Sequence, residues 1–179
     1  MIEANRFAII GSWGSGKTHL SRALGTRLGW QVLPLDQVVF SREQGDGGRG
    51  RLVERDRSES RRLLSDFLEA DDDWVVEGVY GRLIERVLES RPFLVWIDRS
   101  EEDCLEGLRV RSARMLREYG RDLSPLQNQR MVERVKGYRD RSDHLGYACH
   151  RELYESYSGE KIRLTSILEI DQFLEAACG

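Results

Sequence analysis

The sequence has no apolar run approaching the roughly 18 residues that cross a bilayer, so no helical membrane span is expected. Cysteine is scarce. Cys104, Cys149 and Cys178 are widely spaced and odd in number, which is no disulfide framework. The start, Met1-Ile2-Glu3-Ala4-Asn5, lacks the basic opening and apolar stretch of a signal peptide. A cytoplasmic protein without membrane contact is the expectation. Lysine is nearly missing too: only Lys17, Lys136 and Lys161 stand among 28 lysines and arginines. Arginine in its place fits a biased genome composition, and it also fits phosphate, which the guanidinium fork binds bidentately. No internal repeat and no long linker divides the 179 residues, so residues 1–179 read as a single domain.

What is present points to a soluble globular chain. Apolar residues make up 40% and charged residues 33%, a balance that excludes disorder as the general state. The net charge of −3 does not by itself demand nucleic acid. The most informative stretch is Gly11-Ser12-Trp13-Gly14-Ser15-Gly16-Lys17-Thr18. It fills every required position of G-x-x-x-x-G-K-[ST], the phosphate-binding loop. The apolar run Phe7-Ala8-Ile9-Ile10 precedes it, as a buried strand would. Leu20, Leu24 and Leu28 follow at four-residue intervals, one face of a helix that Gly29 ends. Strand, glycine loop and helix N-terminus in that order make an anion site. In it the backbone N–H groups of Gly11, Gly14, Ser15 and Gly16 would turn inward around a phosphate. Lys17 would reach the β- and γ-phosphates, and the Thr18 hydroxyl would sit on Mg²⁺.

Further strands are expected at Gln31–Leu35, with Pro34 arguing against a central place, at Trp74–Val76, at Phe93–Ile97 and at Ile162–Leu164. Leu63, Leu64, Phe67 and Leu68 mark one helix, and Leu83, Ile84, Val87 and Leu88 another. Ser100 with Asp103, and Ser166 with Glu169, have capping-box spacing and open two more. A helical stretch carries Met131, Val132, Val135 and Tyr138, and Tyr147–Tyr157 reads as helical. Residues 41–58 hold Gly45-Asp46-Gly47-Gly48-Arg49-Gly50 and little apolar content. They read as a mobile loop on the acceptor side or a disordered surface insertion. Strands alternating with helices indicate an α/β fold in three layers, a five-stranded parallel sheet with helices on both faces. Ligands of such sheets bind beyond the carboxyl ends of the strands. That rule selects the phosphate loop, Asp36, Glu77-Gly78 and Asp98.

These residues resemble the adenylate-kinase-like and shikimate-kinase-like P-loop kinases, nearest to the small bacterial topology-modulation or FlaR-like kinases. The resemblance runs from Phe7 to about Phe173. It rests on the phosphate loop, on Leu35-Asp36, on Val76-Glu77-Gly78, and on Cys104-Leu105, Leu108 and Arg111. It implies strand order 2-3-1-4-5, a helical lid over about 109–141, and an acceptor held between the second strand and the lid. Asp36 then takes the acceptor-binding or base role. Glu77, where relatives commonly have Asp, holds a Mg²⁺ water. Arg111 and Arg114 are the lid arginines, with Arg121, Arg130 and Arg134 behind them. Asp98 ranks below Glu77, and Trp13 packs on the nucleotide or on the lid. His144, Cys149 and His150 match no zinc spacing.

The function expected is transfer of the γ-phosphoryl group of Mg-ATP to a hydroxyl or phosphate acceptor: a nucleotide, another small molecule or a nucleic-acid hydroxyl. A monomer or homodimer would serve. The competing reading is a regulatory NTP-binding protein or slow NTPase using the same loop as a switch.

Overall fold

The computed structural model describes residues 2–43, 51–120 and 124–179. In chain order the elements are β1 (Arg6–Gly11), α1 (Lys17–Leu28), β2 (Gln31–Pro34), α2 (Asp36–Val39), β3 (Phe40–Glu43), β4 (Arg51–Glu54), α3 (Arg57–Ala70), β5 (Trp74–Gly78), α4 (Gly81–Leu88), β6 (Phe93–Ile97), α5 (Glu101–Tyr119), α6 (Pro125–Lys136), α7 (Tyr147–Ser156), β7 (Lys161–Leu164) and α8 (Ile167–Cys178). The main sheet runs β2-β5-β1-β6-β7, and every pairing in it is parallel. Numbered among themselves, these strands have the expected order 2-3-1-4-5.

The apolar run of β1 explains its central place. Phe7 and Ile9 enter one core with Leu20 and Leu24 of α1 and Ile170 and Phe173 of α8. Ala8 and Ile10 point the other way, into a core with Leu64 of α3 and Ile84 and Val87 of α4. A strand covered on both faces needs unbroken hydrophobicity, because alternate side chains serve opposite layers. Burying each such Leu, Ile or Phe contributes about 2 kcal/mol. Pro34 pairs with Glu77 at the β2 edge of the sheet, where a missing N–H costs no ladder partner on the open side.

Residues 41–58 differ from the loop expected. In their described part β3 and β4 pair antiparallel, Ser41 opposite Val53 and Arg42 opposite Leu52, and α3 begins at Arg57. Composition missed this because the ribbon is held by its backbone ladder and by Arg55, not by an apolar face. Arg55 Nη1 donates to the carbonyls of Gln37 at 2.6 Å and Phe40 at 2.7 Å, tying the ribbon to the end of α2. The run Gly45–Gly50 lies outside the described residues.

Side-chain caps open α3, α5, α6 and α8. Ser100 Oγ accepts from Asp103 N at 3.1 Å. Ser124 and Gln127 form a full capping box on α6, with Pro125 in the first turn. At α8 the expected box is displaced: Ser166 Oγ accepts from Glu169 N at 3.2 Å, while the Glu169 carboxylate accepts from Thr165 N at 2.5 Å. Helix α6 stops at Lys136, so Tyr138 stands in the turn beyond it. No described helix is long and apolar enough to cross a membrane.

The turn after α6 is tied to the sheet through His150. His150 is fully buried; its Nδ1 lies 2.7 Å from the Tyr138 hydroxyl and its Nε2 2.9 Å from the Val79 carbonyl. The carbonyl can only accept, so Nε2 carries the proton and Nδ1 accepts from Tyr138. Burial lowers the imidazole pKa from 6.5 to about 4. The unfolded chain therefore takes up this proton first as pH falls. The contribution of His150 to stability is complete above about pH 6.5 and is lost toward pH 4, a difference of about 3 kcal/mol. Thermal unfolding at pH 7.5 and pH 5.0 checks this: His150→Gln should flatten the pH dependence of Tm, and an unchanged slope would contradict it.

Candidate active site

The phosphate loop leaves β1 at Gly11 and enters α1 at Lys17. Gly14, at φ 72, lies directly against α5: a Cβ there would stand 2.1 Å from the Cys104 carbonyl oxygen. The contact is reciprocal, since a Cβ on Gly107 would stand 2.1 Å from the Gly14 carbonyl oxygen. Backbone meets backbone on both sides, so neither position has room for a side chain. Within the loop, the Ser12 and Ser15 hydroxyl oxygens are buried without a hydrogen-bond partner. Unpartnered buried polar atoms in a glycine loop are what a bound anion would engage.

Lys17 is buried, and its Nζ donates to the Ser12 carbonyl at 2.7 Å. Burial lowers its pKa; the charges of Glu77 and Asp36 work against that lowering. Thr18 Oγ1 donates to Glu77 Oε1 at 2.9 Å, joining α1 to the end of β5. A hydroxyl and a carboxylate side by side are hard oxygen donors that suit Mg²⁺. The parallel register makes this possible: Glu77 pairs with Ile9 of β1 and with Pro34 of β2, so the three strands end within two residues of one another. Asp36, at the start of α2, is exposed, and its Oδ1 accepts from the Tyr80 hydroxyl at 2.5 Å.

One cavity of about 520 Å³ gathers these groups. Gly14, Gly16, Lys17, Thr18, Asp36, Glu77, Arg111 and Arg114 all line it. Arg111 and Arg114 come from one face of α5, as their three-residue spacing requires. Arg114 also faces Glu118, 3.9 Å away. The cavity includes residues the sequence reading missed. Arg22, four residues beyond Thr18 on α1, shares its helix face, a spacing that was available in the sequence. Arg99 follows the end of β6; its side chain is 12% exposed and its Nε is buried without a partner. Val110 and Ile167 are apolar, exposed and on the cavity wall.

Other expected residues fall elsewhere. The Asp98 side chain has no exposed surface and accepts from Arg139 Nη2 at 3.1 Å and Arg163 Nε at 3.0 Å. Two guanidiniums saturate it, and it does not line the cavity. Trp13 packs against the buried cluster of Cys104, Leu108 and Val135, with the Arg134 and Arg141 guanidiniums 5.6 Å and 5.9 Å from its ring centre. The indole thus lies between the phosphate loop and helices α5 and α6. Arg134 is thus an arginine stacked on the loop's own indole, Arg130 is exposed on α6, and Arg121 lies outside the described residues.

Sheet order, phosphate loop and cavity define the chain as having the P-loop fold of the kinase type. Among solved structures it is similar to shikimate kinase from Acinetobacter baumannii in complex with shikimate, with 16% identity, 97% of this chain and 91% of that chain covered, and a TM-score of 0.55. Shikimate kinase from Bacteroides thetaiotaomicron aligns at 14% identity over 96% and 94% of the two chains, with a TM-score of 0.51. The YorR protein of Bacillus subtilis, solved with phosphorylated GDP, aligns at 12% identity over 96% and 92%, with a TM-score of 0.51. At these identities the likeness establishes the fold. No protein-family model and no curated protein matches the sequence.

The contact between Gly14 and α5 yields a test outside the motif. Gly107→Ala should raise the Kd for a fluorescent ATP analogue at least about tenfold by pushing α5 off the loop. Helix propensity alone would favour the alanine by up to ~1 kcal/mol. Unchanged affinity in a titration would show that the loop and α5 tolerate separation.

Proposed function

We propose that this chain is an ATP-dependent phosphotransferase that moves the γ-phosphoryl group of Mg-ATP to a hydroxyl or phosphate acceptor, in the manner of the small topology-modulation or FlaR-like P-loop kinases. The observation that carries the reading is one cavity holding the phosphate-loop lysine, the Thr18–Glu77 pair, Asp36 and two arginines of α5. Residues 1–179 act as one kinase domain, with the α5–α6 region over 109–141 as its lid.

The roles follow from chemistry. Backbone N–H groups of the loop and Lys17 bind the β- and γ-phosphates. Thr18 and Glu77 would hold Mg²⁺, which when bound supplies positive charge against the β- and γ-phosphate oxygens. Asp36 positions the acceptor hydroxyl. A loose transition state demands little base strength, so orientation is its main contribution. Arg111 and Arg114 neutralise the charge that spreads over the transferring group. The acceptor is a nucleotide, another small hydroxyl compound or a nucleic-acid hydroxyl; Arg111 and Arg114 on the cavity wall suit anionic ones.

ATP turnover, measured with and without a pool of nucleoside monophosphates, sugar acids and 5′-hydroxyl oligonucleotides, tests the reading. Acceptor stimulation that Lys17→Ala abolishes is expected. Turnover that no pool member stimulates would favour the switch instead. Asp36→Asn should cut acceptor phosphorylation at least tenfold, about 1.4 kcal/mol in barrier. Its affinity for Mg-ATP, read by titration, should hold; a loss there would make Asp36 a metal ligand. Arg111→Ala should lower turnover more than ATP affinity, because the lid contact strengthens as charge shifts. Equal losses would make Arg111 a ground-state contact.

A further inference from the structure

Asp36 raises a physical difficulty that the structure itself answers. It is exposed and opens a helix of only four residues. A carboxylate in that setting would rotate freely and would orient an acceptor poorly. The Tyr80 hydroxyl, 2.5 Å from Asp36 Oδ1, removes that freedom. A carboxylate oxygen can only accept from a phenol, and each carboxylate has a second oxygen to spare.

Tyr80 is held more firmly than its partner. The carbonyl before it, of Val79, accepts from the buried His150 at 2.9 Å. The N–H after it, of Gly81, donates to the His144 carbonyl at 2.8 Å. Two residues before it, Gly78 packs so closely on Leu35 that a Cβ would stand 2.9 Å from the Leu35 side chain. Leu35 N in turn donates to the Glu77 carbonyl at 2.8 Å. The chain on both sides of Tyr80, and the residue before Asp36, are thus fixed against each other.

We propose that Tyr80 is a positioning residue, whose hydroxyl holds one oxygen of Asp36 and leaves the other directed to the acceptor. This rests on the reading of Asp36 as the acceptor contact. Burial of Tyr80, then the Asp36 charge, raises the phenol pKa above its ordinary 10.0, so the hydroxyl stays a donor. Near-attack geometry is the benefit: a carboxylate confined to one rotamer loses less on engaging the acceptor. A bond that only braced α2 against α4 would move stability and leave transfer alone.

A double-mutant cycle separates the two. Tyr80→Phe keeps the ring and removes only the hydroxyl; Asp36→Asn and the double variant complete the set. Each is first titrated with a fluorescent ATP analogue, which should bind all three as it binds the parent chain and so certifies the fold. Phosphorylation is then followed at saturating ATP with the nucleoside monophosphates, sugar acids and 5′-hydroxyl oligonucleotides separately. With the probes that the parent chain phosphorylates, Tyr80→Phe should lower kcat/KM about fivefold or more, and less than twofold once Asp36 is already Asn. The same loss in both backgrounds, or no loss in either, overturns the proposal while transfer by the parent chain leaves the kinase reading standing. No transfer to any probe by the parent chain brings down the kinase reading, and the positioning role with it. If Tyr80→Phe fails the nucleotide titration, Tyr80 is a structural residue and the proposal falls.

Discussion

The contact between the Gly14 and Gly107 backbones constrains the whole site. A phosphate loop is a set of N–H groups whose usefulness depends on where they point. Here one side of that loop rests on the rigid backbone of α5, with no side chain between to adjust. The same helix carries Arg111 and Arg114 into the cavity less than two turns further on. Loop and arginines are therefore parts of one body. A displacement of α5 moves the groups that grip phosphate together with those that would answer its change of charge.

Charge is sorted around this body. On the sheet side are the carboxylates Glu77 and Asp36, which offset the burial of Lys17. On the helix side stand arginines. Asp98, also at a strand end, is removed from the chemistry by Arg139 and Arg163, which fill both of its oxygens. Leaving a buried carboxylate unpaired would cost several kcal/mol, so those two arginines are committed to structure. Its bonds join β7 and the turn after α6 to the end of β6, the strand from which α5 departs. Stability and the setting of α5 share this one side chain.

Much of this was legible in the sequence. The three central strands β1, β5 and β6 announce themselves by apolar runs, because a strand covered on both faces tolerates little else. Lys17, Thr18, Asp36, Glu77, Arg111 and Arg114 were identified and do line one cavity. The β3–β4 ribbon was not legible, since Ser41, Arg42 and Glu43 have no apolar alternation to betray a strand. Arg22 and Arg99 were lost in a chain where arginine is everywhere and so carries no contrast. Tyr80 was invisible for another reason. Its partner is 44 positions away, and only the pairing of β2 with β5 brings the two ends together.

The indole of Trp13 has an optical meaning. It is half-buried inside the phosphate loop, beneath the guanidiniums of Arg134 and Arg141. A nearby positive charge shifts and quenches indole emission, and this ring has two. Trp74 and Trp96 are buried in the sheet, each with an arginine over its ring, and Trp30 stacks on Phe7 of the core. The protein thus carries a built-in fluorophore between the phosphate loop and α6, whose colour and brightness would follow the distance between them.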